Sequence, residues 1–151
     1  MITITKVEFY KSKKLHKKLW DFLCLNPTLG KSDYFKTFPN LKIPQSGCYA
    51  CDLLKNASFE YGKSYCQCCP IFWNIEDKQG TCSYFPSPFC IWKSKIYSLK
   101  VRKEAAKQVR DAKWLSYTSW KKLMETFLTE REDWRIKNDL KKSVLQIQKI
   151  T

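Results

Sequence analysis

Cys48-Tyr49-Ala50-Cys51 and Cys66-Gln67-Cys68-Cys69-Pro70 are the stretches on which the reading of this 151-residue chain turns. Within them Cys48 pairs with Cys51 and Cys66 with Cys69, each as C-x2-C, with fourteen residues between the pairs. Two tight turns at that spacing can face each other and present four thiolates tetrahedrally to one Zn2+. The expected metal ligands are therefore Cys48, Cys51, Cys66 and Cys69. Four cysteine ligands leave no position open for water or substrate, so such a site is structural rather than catalytic.

Two other uses of the cysteines compete with this one. A disulfide framework belongs to a secreted chain, and the beginning Met-Ile-Thr-Ile-Thr-Lys-Val-Glu lacks a basic region followed by an apolar run and a small-residue cleavage site. The expectation is an intracellular, reducing location. A redox C-x-x-C would follow a strand and open a helix in a βαβ unit, and neither pair has that context. Cys24, Cys68, Cys82 and Cys90 remain. They read as small buried hydrophobes, with the sharper alternative that Cys68, Cys82 or Cys90 supplies a further metal ligand, by replacement or in a second site with His16, the only histidine.

Outside the cysteine-rich centre the chain is basic. The net charge is +14, and its distribution matters more than its size: residues 41–90 balance four Lys against four acids, while residues 91–151 carry sixteen Lys or Arg against seven acids. A neutral centre with basic flanks attracts phosphate-bearing partners. No run of about 18 apolar residues is present to span a membrane.

Hydrophobic spacing gives an α-rich fold class. Thr5 and Glu8 stand at capping-box spacing, and Leu15, Leu19, Phe22 and Leu23 recur every three or four residues, opposite a Lys-rich face of Lys11, Lys13, Lys14, Lys17 and Lys18. Ile2 and Ile4 alternate weakly as a strand would. Asn26-Pro27 ends the first helix. A short helix from Ser32 or Asp33 would carry Tyr34, Phe35 and Phe38 into the core and stop at Pro39. Residues 40–47 read as a loop, Asp52-Leu53-Leu54 as one helical turn, Pro70 to Trp73 as an apolar knot over the metal, and Pro86-Ser87-Pro88 as a turn. Val101, Ala105, Val109 and Ala112 mark a helix over about 100–114. A longer helix starts near Thr118 or Ser119, with Trp120, Leu123, Met124, Phe127, Trp134, Leu140, Val144 and Leu145 at near-heptad spacing. The expected organisation is a zinc-centred core domain over 1–115, its centre irregular or a β-hairpin of zinc-ribbon type, followed by a basic amphipathic helical tail over 116–151.

Taken together, several of these pieces resemble a known group. His-Lys-Lys-Leu-Trp-Asp-Phe-Leu from His16 to Leu23, Lys-Ser-Asp-Tyr-Phe from Lys31 to Phe35, the two cysteine pairs, Gly80-Thr81-Cys82 and Trp92 resemble small cysteine-rich proteins encoded by bacteriophages and prophages, over roughly residues 5–113. Phe22 stands where that group usually has a second Trp, and Cys68 is an extra thiol. The resemblance implies a phage origin and a zinc-binding centre. It carries no catalytic residue across, because the group's activity is unassigned.

Enzymatic chemistry finds little footing. A Ser-His-Asp or Cys-His mechanism would rest wholly on His16, and the phosphate-binding, dinucleotide-binding, H-E-x-x-H and His-x-Glu deaminase motifs are missing from the sequence. The expectation is a non-enzymatic phage accessory protein in the cytoplasm of a bacterial host, countering or modulating a host defence system by binding a defence protein or its nucleotide signal. The alternative is a zinc-containing regulator that binds RNA or single-stranded DNA. Anion-binding candidates are Lys93, Lys95, Arg102, Lys103, Lys107 and Arg110, with Tyr61, Trp73, Tyr84 or Trp92 stacking on a base. Candidates for docking a protein partner, or a second copy through the last helix, are Trp120, Phe127 and Trp134.

Overall fold

The capping box expected at Thr5 forms as the sequence indicates. In the computed structural model, which describes residues 3–44, 48–57, 68–72, 82 and 86–130, the Thr5 backbone N–H donates to Glu8 Oε2 over 2.7 Å and the Glu8 N–H donates to Thr5 Oγ1 over 3.2 Å. Two otherwise orphaned donors are satisfied reciprocally. Helix α1 (Lys6–Leu25) follows. Asn26 caps its end, its side-chain amide donating to the Phe22 carbonyl. One face, carrying Phe9, His16, Leu19, Trp20, Leu23 and Cys24, is buried. The residues before α1 form no strand from Thr3 onward, though Ile4 is buried.

Helix α2 (Lys31–Thr37) starts one residue before the expected Ser32, because Gly30 serves as its cap and its N–H is held by the Asp33 carboxylate. Tyr34 is buried and Phe38 is largely exposed. Helix α3 (Tyr49–Asn56) is two turns where the sequence indicated one, and Cys48 is its N-cap residue. Its buried set, Tyr49, Ala50, Asp52, Leu53 and Leu54, packs on α1.

Helix α4 (Pro88–Lys93) replaces the expected turn. Ser87 Oγ accepts the Cys90 N–H, and Pro88 occupies the first helical position, where a missing N–H costs nothing. Helix α5 (Leu99–Asp111) is capped by Ser98 and lies against both α1 and α4. It buries Ala105, Ala106 and Val109, while Val101 stays exposed.

A two-stranded antiparallel ladder then joins distant segments: β1 (Ile71–Phe72) pairs with β2 (Lys113–Trp114), in the register Ile71 to Trp114 and Phe72 to Lys113. The Leu115 N–H extends it by donating to the Pro70 carbonyl over 2.8 Å. Helix α6 begins at 117 behind the Ser116 cap and is described to 130.

One buried cluster unites these elements. Phe9 meets Trp114 at 5.7 Å and Trp120 at 5.1 Å between ring centroids, and Trp20 meets Trp92 at 4.9 Å. Trp120 and Met124 belong to the same cluster, so the core runs past residue 115 into α6. The described structure is helix-rich, with a centre pinned to its neighbours rather than a shown zinc ribbon. Among the described residues, no helix is long and apolar enough to cross a membrane.

Candidate functional site

Helix α3, which opens on two of the cysteines, packs on α1. Helix α3 places Cys48 and Cys51 one turn apart at its start. The Cys48 thiol donates to Cys51, which with burial pushes the Cys48 thiol up to about 12. The bond that Cys51 accepts from Cys48 lowers its own pKa, but donation to Cys82 and burial outweigh this, and Cys51 also reaches about 12. Cys69 acts electrostatically on Cys51 as well. Four thiols thus influence one another: Cys48, Cys51, Cys69 and Cys82. Cys82 is held through its backbone, its carbonyl accepting from Ser87 Oγ and, at 3.5 Å, from the Cys90 thiol.

Lys31 sits beside this thiol group. Its Nζ lies 4.7 Å from the Phe89 ring centroid, 5.5 Å from Trp20 and 5.8 Å from Trp92. Those aromatic faces offset part of the cost of burying an ammonium. Burial pushes the Lys31 pKa down, and the charges of Cys48, Cys51 and Cys82 push it back up. A half-buried cation beside a set of thiols favours their thiolate forms, the forms that bind metal.

The donor chemistry fits zinc, though the expected four ligands are only partly in view. Cys66 lies outside the described residues. Among those described, no group of three or more His, Cys, Asp or Glu side chains is already gathered so as to hold a metal ion. Of the expected additional ligands, Cys82 joins the thiol chain, whereas Cys68 is fully buried with its carbonyl accepting from the Trp120 indole, and Cys90 bonds to the Cys82 backbone.

A second feature lies between α1 and the end of α5. A groove of about 490 Å3 is lined by Tyr10, Lys13, Lys14, Lys17, Arg110 and Trp114, together with His16, Asp111 and Ala112. Lysines at 13, 14 and 17 share one face because three- and four-residue steps return to the same side of a helix. Arg110 forks onto Asp111, Nε to Oδ1 at 2.8 Å and an Nη to Oδ2 at 2.7 Å, and lies 3.7 Å from Asp21 of α1. This pairing holds the Asp111 carboxyl below its ordinary range. A larger groove of about 560 Å3 between α1, α2 and residues 38–41 is mainly apolar, lined by Phe22, Leu25, Tyr34, Phe38 and Leu41 among others.

The structure redistributes the remaining expected site residues. Of the anion-binding set, only Arg110 lines the basic groove. Lys93, Lys95 and Lys103 are exposed, Lys107 pairs with Glu104 at 3.3 Å, and Arg102 caps α4 by donating to the Trp92 carbonyl at 3.0 Å. Trp92 is buried against Trp20 and so is no stacking platform. Tyr61, Trp73, Tyr84 and Trp134 lie outside the described residues. Trp120, expected to dock a partner, is instead fully buried in the core, and Phe127 is half-buried against it. The Lys13, Lys14 and Lys17 face was visible in the sequence as a basic stripe, but its meeting with Arg110 depends on how α5 lies on α1.

No family model, no curated protein and no solved structure matches this chain.

Proposed function

We propose that this is a non-enzymatic binding protein that captures a phosphate-bearing nucleotide ligand in the groove between α1 and α5. The observation that carries the reading is the convergence of Lys13, Lys14, Lys17 and Arg110 on a single groove with the aromatic rings of Tyr10 and Trp114. Its volume, about 490 Å3, falls in the range of small-ligand sites, and lysine ammoniums bind phosphate as point charges. Arg110 is already engaged by Asp111, so the lysines supply most of the attraction. His16 argues against acid–base catalysis on a bound substrate, because it is 1% exposed and its Nε2 is engaged by a backbone carbonyl.

In the same proposal the thiols of the centre hold one structural Zn2+, drawn from Cys48, Cys51, Cys66, Cys69 and Cys82. Mutual thiol bonding and the neighbouring Lys31 support it. The metal's contribution is folding free energy, not chemistry on a ligand. The wider role, a phage accessory protein that sequesters a host's nucleotide signal in the bacterial cytoplasm, rests on the sequence resemblance alone.

The test is a titration of a nucleoside triphosphate and of a short labelled single-stranded oligonucleotide, each at two salt concentrations, against the wild type and Lys13→Ala/Lys14→Ala/Lys17→Ala. Capture of the nucleotide, weakened about tenfold or more in the triple variant and with a shallower salt slope, supports the reading. Tight binding of the oligonucleotide alone moves the function to nucleic-acid binding. Binding of either probe undiminished in the variant removes the groove from the account.

A further inference from the structure

The Arg110 guanidinium is engaged along one edge only. Its Nε and Nη2 donate to the two carboxylate oxygens of Asp111 over 2.8 and 2.7 Å. A guanidinium carries five N–H donors in one plane, and Asp111 takes two of them. The Asp21 carboxylate, 3.7 Å from Nε, adds charge without a hydrogen bond. No other hydrogen bond from Arg110 forms among the described residues. Its outer edge, one N–H on each Nη, stays open while the fork onto Asp111 fixes its plane. Arg110 lines the groove between α1 and α5, and its side chain is 27% exposed.

Charge and direction separate the two ends of that groove. Lys13, Lys14 and Lys17 make no ion pair among the described residues, so they are the cations available to phosphate. The pair of Arg110 and Asp111 carries no net charge. It attracts phosphate weakly but keeps its directional donors, two parallel N–H groups that suit two acceptors side by side. Guanine presents such a pair, O6 and N7, on one edge, whereas adenine has an amino group in place of O6, which sets donor against donor. The distance suits this division as well. Lys13 and Lys14 precede Asp21, the α1 contact of Arg110, by eight and seven residues, or roughly 11 Å along the helix axis. A nucleotide spans a similar distance from its phosphates to the far edge of its purine.

We infer that the groove selects guanine nucleotides: Lys13, Lys14 and Lys17 take the phosphates, and the open edge of Arg110 donates to O6 and N7 of the base. Asp111 is a positioning residue. It holds the guanidinium in one plane before the ligand arrives, so less side-chain freedom is lost on binding. This rests on the nucleotide reading given under the proposed function and adds the identity of the base. Lysine could not replace Arg110 in this role, because an ammonium is a point charge and lacks the paired, coplanar donors.

The test is a calorimetric titration of the full-length protein with GTP, ITP, 7-deaza-GTP and ATP. GTP and ITP share O6 and N7 and should bind about equally. ATP should bind about tenfold or more weaker, and 7-deaza-GTP, in which a C–H replaces N7, about fivefold or more weaker. Arg110→Lys should bring GTP down to the affinity of ATP, and Asp111→Asn should narrow the ratio between them. Should either variant fail to fold, the four ligands on the wild type still decide. Equal binding of all four, weakened alike by Lys13→Ala/Lys14→Ala/Lys17→Ala, overturns this inference and leaves the nucleotide groove intact. A strong preference for GTP over ITP would put the contact on the N2 amino group and overturns it too. Binding of none of the four overturns the nucleotide reading itself, and the inference with it.

Discussion

The Trp120 indole Nε1 donates a 3.0 Å hydrogen bond to the Cys68 carbonyl, and both residues are fully buried. This bond fastens the cysteine-bearing segment at 68–72 to helix α6. Trp120→Phe keeps most of the packing and orphans the carbonyl, at a cost of about 1–3 kcal/mol. Trp120→Ala also opens a cavity and costs about 3–5 kcal/mol. Urea unfolding of both variants measures the difference, and an undiminished stability in Trp120→Phe would show that the bond itself contributes nothing.

Tyr117 makes a comparable tie to the N-terminal segment, its hydroxyl donating to the Ile4 carbonyl over 2.9 Å. Tyr117→Phe should lose about 0.5–1.5 kcal/mol. Amide exchange over the first turn of α1 should speed up with little change in α5. Uniform acceleration throughout would mean that the bond reports on global stability instead.

Glu8 gives a pH dependence of defined sign. Hydrogen bonds from the Thr5 backbone and then from its hydroxyl lower the Glu8 pKa in the folded state. The stabilisation is therefore present above the carboxyl's unfolded value and lost as pH falls through the lower folded value. Wild type should exceed Glu8→Gln in thermal stability at neutral pH, and the gap should close in acid. Thr5→Ala, which removes the cap, should cost about 1 kcal/mol. A gap between wild type and Glu8→Gln that stays constant into strong acid would sever this link.

Chelation tests the centre as a whole. Removing a metal whose binding is coupled to folding should lower the Tm and release the cysteine-bearing segment to proteolysis, with re-addition of Zn2+ restoring both. Cys48→Ser should behave like the chelated wild type. An unchanged melting curve after exhaustive chelation would dissociate the thiols from any structural ion.

Specificity within the basic surface is a separate matter. Lys103 is exposed and Lys107 pairs with Glu104, both away from the groove lining. Alanine at these two positions should change nucleotide affinity about twofold or less at moderate salt, where exposed charges beyond a Debye length are screened. A loss as large as that of the Lys13, Lys14 and Lys17 variant would make the attraction diffuse rather than sited.

Local rules made some of this legible and tertiary contacts hid the rest. The capping box at Thr5 and Glu8 and the stop at Asn26-Pro27 are encoded within a few residues of where they act. Pro86-Ser87-Pro88 was ambiguous on the same rules, since serine followed by proline opens a helix as readily as it makes a turn, and here Ser87 caps α4. His16 read as the lone histidine of a lysine-rich helix, with a second metal site as its possible use. Its position seven residues after Phe9 and four before Trp20 puts it on the buried stripe, a signal that its polarity outweighed. The groove and the thiol group could not be read that way, because the first depends on where α5 comes to rest against α1 and the second on where Cys82 meets the start of α3.

The pairing of β1 with β2 and the bond from Trp120 to Cys68, made across 52 residues of chain, set an order of assembly. Loop closure at that separation costs roughly 3–4 kcal/mol before any contact offsets it. During synthesis, residue 68 is made roughly 3 to 10 seconds before residue 120. Over that interval the cysteines already made, Cys48 and Cys51 among them, lack the strand and the tryptophan that later fasten the segment at 68–72. Ions and oxidants alike reach these thiols most easily while the polypeptide is still being lengthened.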